Sequence, residues 1–222
     1  MNGKIKLLLL TVALISGSAT PAQRPQVAGQ SSSEETLARH VAGAELTECS
    51  AVDAFVKALN SAGVSGGSVR VGTCERQQNT LLWKPDGSPL RTMLDFIVRA
   101  DRQYRWEAEN DVVNLLPVGG EPELLRLRIA RLDVDNVVSA QRALDELMGL
   151  SEVRSRMQTL GLTGGLSLLN IPMSPYPRKF SVHCRGVTFR EALNAIARAK
   201  GHAVWSYAER HCNGVNELFL SF

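Results

Sequence analysis

The sequence predicts an α+β fold made of two tandem small α/β sandwich units, each with two helices packed on a short mixed sheet. The first observation behind this prediction is an internal repeat, in which residues 87–106 resemble residues 186–205. The second is that each copy alternates segments of helical period with segments of strand period. The third is size, because 222 residues with 44% hydrophobic composition can form two units of roughly 80–100 residues, each with one modest core.

The N-terminal segment has the pattern of a secretory signal peptide. It has a basic start, an apolar core from Leu7 to Ile15 and small residues up to Ala22. The apolar core is much shorter than the roughly 20 residues that span a bilayer, so we expect cleavage rather than anchoring. No cysteine precedes Cys49, which leaves no lipobox for a lipoprotein anchor. The protein is therefore predicted to be periplasmic or secreted, with residues 1–22 removed and no transmembrane segment after them.

The remaining boundaries follow from composition. The stretch at 23–44 opens with Gln, Pro, Gly and Ser, and such a composition cannot bury enough apolar surface to offset its ordering entropy. It is predicted to be a flexible tether. The first unit is placed at 45–117 and the second at 124–222, with a Pro- and Gly-rich linker at 118–123 between them.

The repeat is ungapped over twenty positions and places one helix at the same point of each unit. Ser88 with Pro89 is typical of an N-cap and first helical turn, and Thr188 with Glu191 has the spacing of a capping box. The apolar residues that follow recur with the helical period, so each helix should pack one face on a sheet. The identical pairs are Gly87/Gly186, Arg91/Arg190, Leu94/Leu193, Ile97/Ile196, Arg99/Arg198, Ala100/Ala199 and Trp106/Trp205.

The second copy is longer than the first by about 14 residues, because residues 52–59 match residues 137–144 at a separation of 85 rather than 99. The extra residues fall near Gly149–Gly165, where we predict an inserted short helix. Each unit should then run helix, strand, strand, helix, strand, strand. The second unit gains a leading strand at Leu124–Val134, in which leucines and arginines alternate.

The other strands are predicted at apolar or alternating stretches between the helices, and a Trp-bearing extended stretch follows each repeat helix. In chain order we expect strands at Ser68–Val71, Leu81–Lys84, Val112–Leu116, Leu166–Leu169, Lys179–Cys184 and Glu217–Phe222.

The charge balance argues against a surface that binds polyanions. The formal net charge is +3, and loss of Lys4 and Lys6 with the leader would reduce it to +1. Nucleic-acid-binding domains typically carry a strong basic excess or patch. We therefore expect no nucleic acid among the partners.

Four cysteines in an exported chain favour disulfides over free thiols, and three pairings are possible. Pairing within the halves gives Cys49–Cys74 and Cys184–Cys212, and each bridge typically contributes about 2–4 kcal/mol. The alternative is a metal site built from the His-Cys doublets at 183–184 and 211–212. Adjacent strand residues point to opposite faces, so at most one member of each doublet faces a given metal. We predict no metal and no cofactor.

Two segments carry a resemblance to a known family: GSPLRTMLDFIVRADRQYRWEAENDVVNLLP at 87–117 and CRGVTFREALNAIARAKGHAVWSYAERHCNGVNELFLSF at 184–222. In both, a Gly and a helix-start residue precede a Leu/Ile-striped helix, an aromatic strand, a short turn and a final apolar strand. This pattern resembles the secretin and TonB short N-terminal domain (STN) family. Its members are periplasmic docking modules of outer-membrane secretins and signalling TonB-dependent receptors.

The resemblance implies two tandem STN-like units that bind a protein partner in the cell envelope, as an accessory to secretion or signalling, and it brings no catalytic residues. Two alternatives stay open. A small exported Cys/His hydrolase would use Cys184 next to His183, but its thiolate would need a free, electropositive sulfur that a disulfide removes. A periplasmic inhibitor or chaperone-like binder would also act without catalysis. We predict no enzyme.

The partner surface is predicted on the stretch that only the second unit has. An apolar stripe at helical spacing follows Ser151, which can cap a short helix, and the SPYP loop lies further on. Met and Tyr are enriched at interfaces, so stripe and loop would form a groove or ridge for another protein. The alternative is that the stripe is core and covers the sheet. The predicted contact residues are Leu150, Val153, Met157, Leu160, Met173 and Tyr176.

Overall fold

The structure is a computed structural model, and it describes residues 29–41, 46–73, 80–83, 87–166 and 178–222. Helices and strands alternate along these residues, and the largest sheet is mixed, which confirms the α+β fold class. The predicted signal peptide lies outside the described residues. In the part of the chain that is described, no helix is both long enough and apolar enough to cross a membrane.

The predicted tether is in part ordered. Helix α1 spans Gly29–Ala38, Leu37 is 3% exposed and Val41 is 1% exposed. The backbone carbonyl of Arg39 accepts a hydrogen bond from the N–H of Leu90 at 2.8 Å. Residues 29–41 of the predicted tether therefore pack against the first unit, because the buried Leu37 and Val41 anchor a stretch that is polar on average.

The first unit is a strand, a helix, two strands, a helix and a hairpin. Its first helix is capped by Ser50, whose side chain accepts from the N–H of Asp53 at 3.2 Å, and ends at Gly63 with φ +62°. The short first strand was not predicted, since its four residues show no alternation. The elements are β1 Leu46–Cys49, α2 Ala51–Ala62, β2 Ser65–Thr73, β3 Leu81–Trp83, α3 Leu90–Ala100, β4 Tyr104–Glu109 and β5 Val112–Pro117.

The second unit has the same order of elements with one added helix. That helix, α5, occupies the predicted insertion. The leading strand begins at Arg128 rather than Leu124, because Leu124 and Leu125 are both fully buried in a turn and do not alternate in and out. The elements are β6 Arg128–Val137, α4 Ala140–Gly149, α5 Ser151–Thr159, β7 Leu162–Leu166, β8 Phe180–Thr188, α6 Phe189–Lys200, β9 Val204–Cys212 and β10 Val215–Ser221.

The internal repeat is preserved in side-chain contacts. The indole N–H of Trp106 donates to Asp95 at 3.0 Å, and that of Trp205 donates to Asn194 at 2.9 Å, so equivalent strands are tied to equivalent helices. The capping box of Thr188 is present. At the other copy the N-cap is Pro89 without a side-chain bond, rather than Ser88.

One six-stranded sheet joins the two units, in the order β4-β5-β2-β9-β10-β7. In the first unit β5 and β2 are parallel and β4 is antiparallel to β5; in the second, β10 and β7 are parallel and β9 is antiparallel to β10. Strands β2 and β9 pair in parallel across the junction. Each unit also has a two-stranded sheet, β1-β3 or β6-β8.

The helices of the two units pack on opposite faces of this sheet. Val113 and Leu115 of β5 belong to the first core, with α2 and α3, whereas Trp205 and Tyr207 of β9 belong to the second, with α4 and α6. The register pairs Gly67 with both Asn114 and Trp205, so these three residues share one face, and strand alternation puts Val113 on the other. The Trp205 ring lies directly over Gly67, where an added Cβ would come within 1.9 Å of it.

Candidate protein-binding cleft

A cleft of about 600 Å³ opens at the carboxyl ends of the parallel strands β5, β2 and β9. In open α/β sheets, ligands commonly bind outside the carboxyl ends of parallel strands. Here β2 comes from the first unit and β9 from the second, so the cleft forms only when the two units share the sheet. Its lining includes Val71, Tyr104, Pro117, Val118, Arg126 and Glu209.

The apolar part of the cleft is unusually exposed. Val71 is 44% exposed and Val118 is 59% exposed, and they are among the few large apolar side chains that the described residues leave open to solvent. The backbone of Val118 is held because its N–H donates to the carbonyl of Gln103 at 2.8 Å, next to the Tyr104–Pro117 pair at the open end of the β4-β5 hairpin. Exposed apolar groups held in place beside a cleft are typical of a binding surface.

A carboxylate forms one wall of the cleft. Glu209 is only 9% exposed and accepts a hydrogen bond from the hydroxyl of Tyr207. Burial, together with this bond and the charge of Glu209, raises the pKa of Tyr207 far above its usual range, so the tyrosine stays a donor. His211 Nε2 lies 3.4 Å from Glu209 Oε2. These contacts hold the Glu209 carboxylate in one orientation at the wall of the cleft.

The linker that covers the cleft is fixed by Arg190 at the start of α6. Its guanidinium contacts Glu107 of β4, and its Nε lies 2.8 Å from Glu121 of the linker. Burial opposes ionisation of Glu107, but hydrogen bonds from Arg190 and Arg105 outweigh it and hold its pKa below the usual range. Burial raises the pKa of Glu121. An arginine of the second unit thus contacts both the linker and a strand of the first unit.

The predicted partner surface on α5 is largely core. Val153 is fully buried in the second core, so as a partner contact it is wrong; its side chain faces the sheet rather than solvent. Leu150, Met157 and Leu160 are partly buried against the same core. The alternative interpretation, in which the apolar stripe is part of the core, therefore holds for α5. Ser151 does not cap the helix, since Leu150 is the N-cap and the Ser151 hydroxyl bonds Glu152 instead.

Met173 and Tyr176, the other two predicted partner contacts, lie outside the described residues. Those two contacts stay predictions. The cleft itself was not predicted, although the Pro- and Gly-rich linker that covers it was recognised as a linker. The missing signal is the pairing of β2 with β9, which brings Val71 beside Glu209 and which local sequence patterns do not encode.

His183 is not placed to act as a base for its neighbour Cys184, because both of its ring nitrogens lie beside carboxylates. The ring of His183 points to acids instead, with Nδ1 at 3.0 Å from Asp133 and Nε2 at 3.3 Å from Asp135. Burial raises the pKa of the Cys184 thiol, which disfavours the thiolate. Strand alternation explains the separation, because adjacent residues of β8 point to opposite faces.

The predicted disulfides stay predictions. In the structure the thiols of Cys49 and Cys184 are free, Cys49 being buried at the end of β1. Cys74 lies outside the described residues. Cys184 is on β8 of a two-stranded sheet and Cys212 at the end of β9 in the six-stranded sheet. In the described part of the chain, His, Cys, Asp and Glu form no group of three that could hold a metal ion.

Comparison with protein-family models, with curated proteins and with solved structures gives no match.

Proposed function

We propose that this chain is an exported, non-enzymatic module that binds a protein of the cell envelope, built from two tandem STN-like units. Two features support the proposal. Both units have the same order of elements, including the helix, aromatic strand, turn and apolar strand on which the resemblance rests. Both also have the same local strand pairing, a hairpin whose second strand pairs in parallel with an earlier strand.

The observation that carries the proposal is the cleft between the units. Its volume of about 600 Å³ suits a few side chains of an extended segment, and protein clefts that take ligands typically span about 300–1,000 Å³. Val71 and Val118 offer apolar contact, and Glu209 offers an acceptor. A matching partner segment would place an apolar side chain beside the two valines and a donor near the carboxylate.

Site-specific photo-crosslinking in the native host tests this proposal. A photoreactive residue at Val118 should trap a discrete partner, whereas the same residue at Leu82, which is 68% exposed on β3 and away from the cleft, should not. Once the trapped partner is purified, Val118→Asp should weaken its binding at least about tenfold, or about 1.4 kcal/mol, because a carboxylate would replace an apolar contact. The thermal stability of this variant should stay unchanged, since Val118 is exposed.

Two results would contradict the proposed site. One is equal crosslinking from Val118 and Leu82, which would indicate random encounters. The other is an undiminished affinity of Val118→Asp for the trapped partner, which would place binding elsewhere on the molecule.

A further inference from the structure

The junction between the two units uses two different edges. The first unit contributes β2 and the second contributes β9, and eight residue pairs run in parallel from Gly66/Val204 to Thr73/His211. An interface in which one surface of a unit meets a different surface of the next is heterologous, and it leaves the unused surface of each unit open to a further copy.

The unused edges are β4 and β7. By the repeat, β4 of the first unit corresponds to β9 of the second, and β2 corresponds to β7. Among the described residues, β4 pairs only with β5 and β7 pairs only with β10. In the described residues, β4 is thus equivalent to the β9 side of the β2-β9 junction and β7 to its β2 side, and neither end strand has a further strand beside it.

Strand directions define the operation that relates the two units. Because β9 is parallel to β2, each strand that the second unit contributes to the six-stranded sheet runs opposite to its counterpart from the first unit. The helices of the two units also lie on opposite faces. The two units are therefore related by a half-turn about an axis that lies in the sheet and runs across its strands, combined with a translation along that axis. A second application restores the orientation of the first unit and places β4 of a new copy beside β7, in parallel.

We propose that copies of this chain assemble head to tail, with β7 of one copy pairing in parallel with β4 of the next in a repeat of the β2-β9 junction. The assembly is one continuous sheet that gains six strands per copy. Its helices alternate from face to face. Such an interface closes into a ring or grows as a filament, according to the twist that accumulates per copy.

The tryptophans of the repeat support this pairing. Trp205 is fully buried because its ring lies over Gly67 of the neighbouring strand. Its counterpart Trp106 has the same bond to the helix behind it but lies on an end strand and is only half-buried. On β7, Gly165 pairs with Phe219, which places it on the face away from the helices of its unit, as Gly67 is placed on β2. A glycine on that face is what the Trp106 of a second copy requires.

Sedimentation equilibrium of the purified protein, with one block at each edge, tests this. The β4-β5 hairpin has a two-residue loop, and with this loop the N–H of Ala108 points away from β5. Ala108→Pro therefore removes a hydrogen-bond donor from the open edge of β4 and keeps the β4-β5 pairing. Gly165→Val places a side chain where Trp106 of the next copy would lie. Thr163→Val is the control on β7, because it keeps size and shape. Circular dichroism and thermal melts identify any variant that fails to fold.

We expect the average mass of the wild type and of Thr163→Val to rise with concentration to twice that of one chain and beyond. Each edge variant alone should remain monomeric. A mixture of Ala108→Pro and Gly165→Val should form dimers and nothing larger, because the first keeps a competent β7 and the second a competent β4. This complementation is specific to a heterologous contact.

Three results would overturn the proposal. The first is a wild type that stays monomeric up to about 100 μM, a range in which modest non-obligate interfaces are occupied. The second is assembly that a folded edge variant does not reduce. The third is a mixture of the two folded variants that stays monomeric. Failure here leaves the proposed cleft standing, because Val118 lies on neither edge strand and its crosslinking is measured separately.

Discussion

Gly67 is the position at which the contact between the units can be probed with one added methyl group. An alanine there would put its Cβ 1.9, 2.1 and 2.4 Å from three ring atoms of Trp205, well inside van der Waals contact. The ring cannot swing away freely, because it is fully buried and its N–H donates to Asn194 at 2.9 Å. The mutation therefore forces either the loss of that bond or the separation of β2 from β9.

The expected cost is about 3 kcal/mol. Overpacking in a well-packed core costs about 1–3 kcal/mol, and loss of a buried hydrogen bond adds about 1–2 kcal/mol. Replacing glycine in a strand returns roughly 0.5–1 kcal/mol of backbone entropy. For a protein of this size about 1 kcal/mol corresponds to a shift of roughly 2–4 °C, so the melting temperature should fall by roughly 6–12 °C.

Urea denaturation and thermal melts followed by circular dichroism measure this cost. The matched control is Gly72→Ala in the same strand, where an added Cβ meets no atom within 4 Å and stability should hold or rise slightly. In a Trp205→Leu background, Gly67→Ala should lose most of its cost, since the ring that it clashes with is gone. Equal effects of Gly67→Ala and Gly72→Ala would refute this account of the junction.

Three further outcomes follow from the packing and the charges. The double change Val153→Ser with Met157→Ser should lower the free energy of unfolding by about 2–5 kcal/mol, because Val153 is fully buried and Met157 partly so, and urea titration measures it. The pKa of Glu107 is lowered in the folded state, so its ionisation stabilises the protein above the ordinary glutamate pKa, and this contribution is lost as pH falls through the folded value; Glu107→Gln should make unfolding less pH-dependent below about pH 4, which melts across that range would show. Cys184 should react with iodoacetamide in the native protein more slowly at neutral pH than after denaturation, because burial raises its pKa. Peptide mapping without reduction in the same experiment would reveal a Cys184–Cys212 or Cys49–Cys74 link. Labelling of the native protein as fast as that of the denatured protein would contradict the partial burial of the Cys184 thiol.

Local patterns predicted most of the secondary structure. The periodicity around Ile97 and Ile196 gave both repeat helices, and the change of repeat separation located the inserted helix. These features are encoded within a few turns of chain, where capping and apolar spacing decide the outcome. Strand β7 begins at Leu162, earlier than the predicted Leu166–Leu169 strand, because Leu162 to Leu166 pair with β10; residues 167–169 lie outside the described residues.

The binding cleft could not be predicted in this way. Val71 and Glu209 are far apart in the sequence and meet only because β2 pairs with β9. Val153 shows a second limit of prediction from sequence. An apolar stripe on a helix has the same spacing whether it faces the protein core or a binding partner. Which of the two it faces depends on what the rest of the chain brings opposite to it.

The β2-β9 pairing also constrains the order in which the chain can fold. The hydroxyls of Ser68 and Ser206 lie 3.1 Å apart although 138 residues separate them in sequence. Contacts of such high sequence separation slow folding, because a long loop must close before they form. The core of the first unit can assemble from local contacts well before then, and β2 remains an open edge during that interval. Aggregation is therefore most favoured while the first unit is folded and β2 has not yet paired with β9.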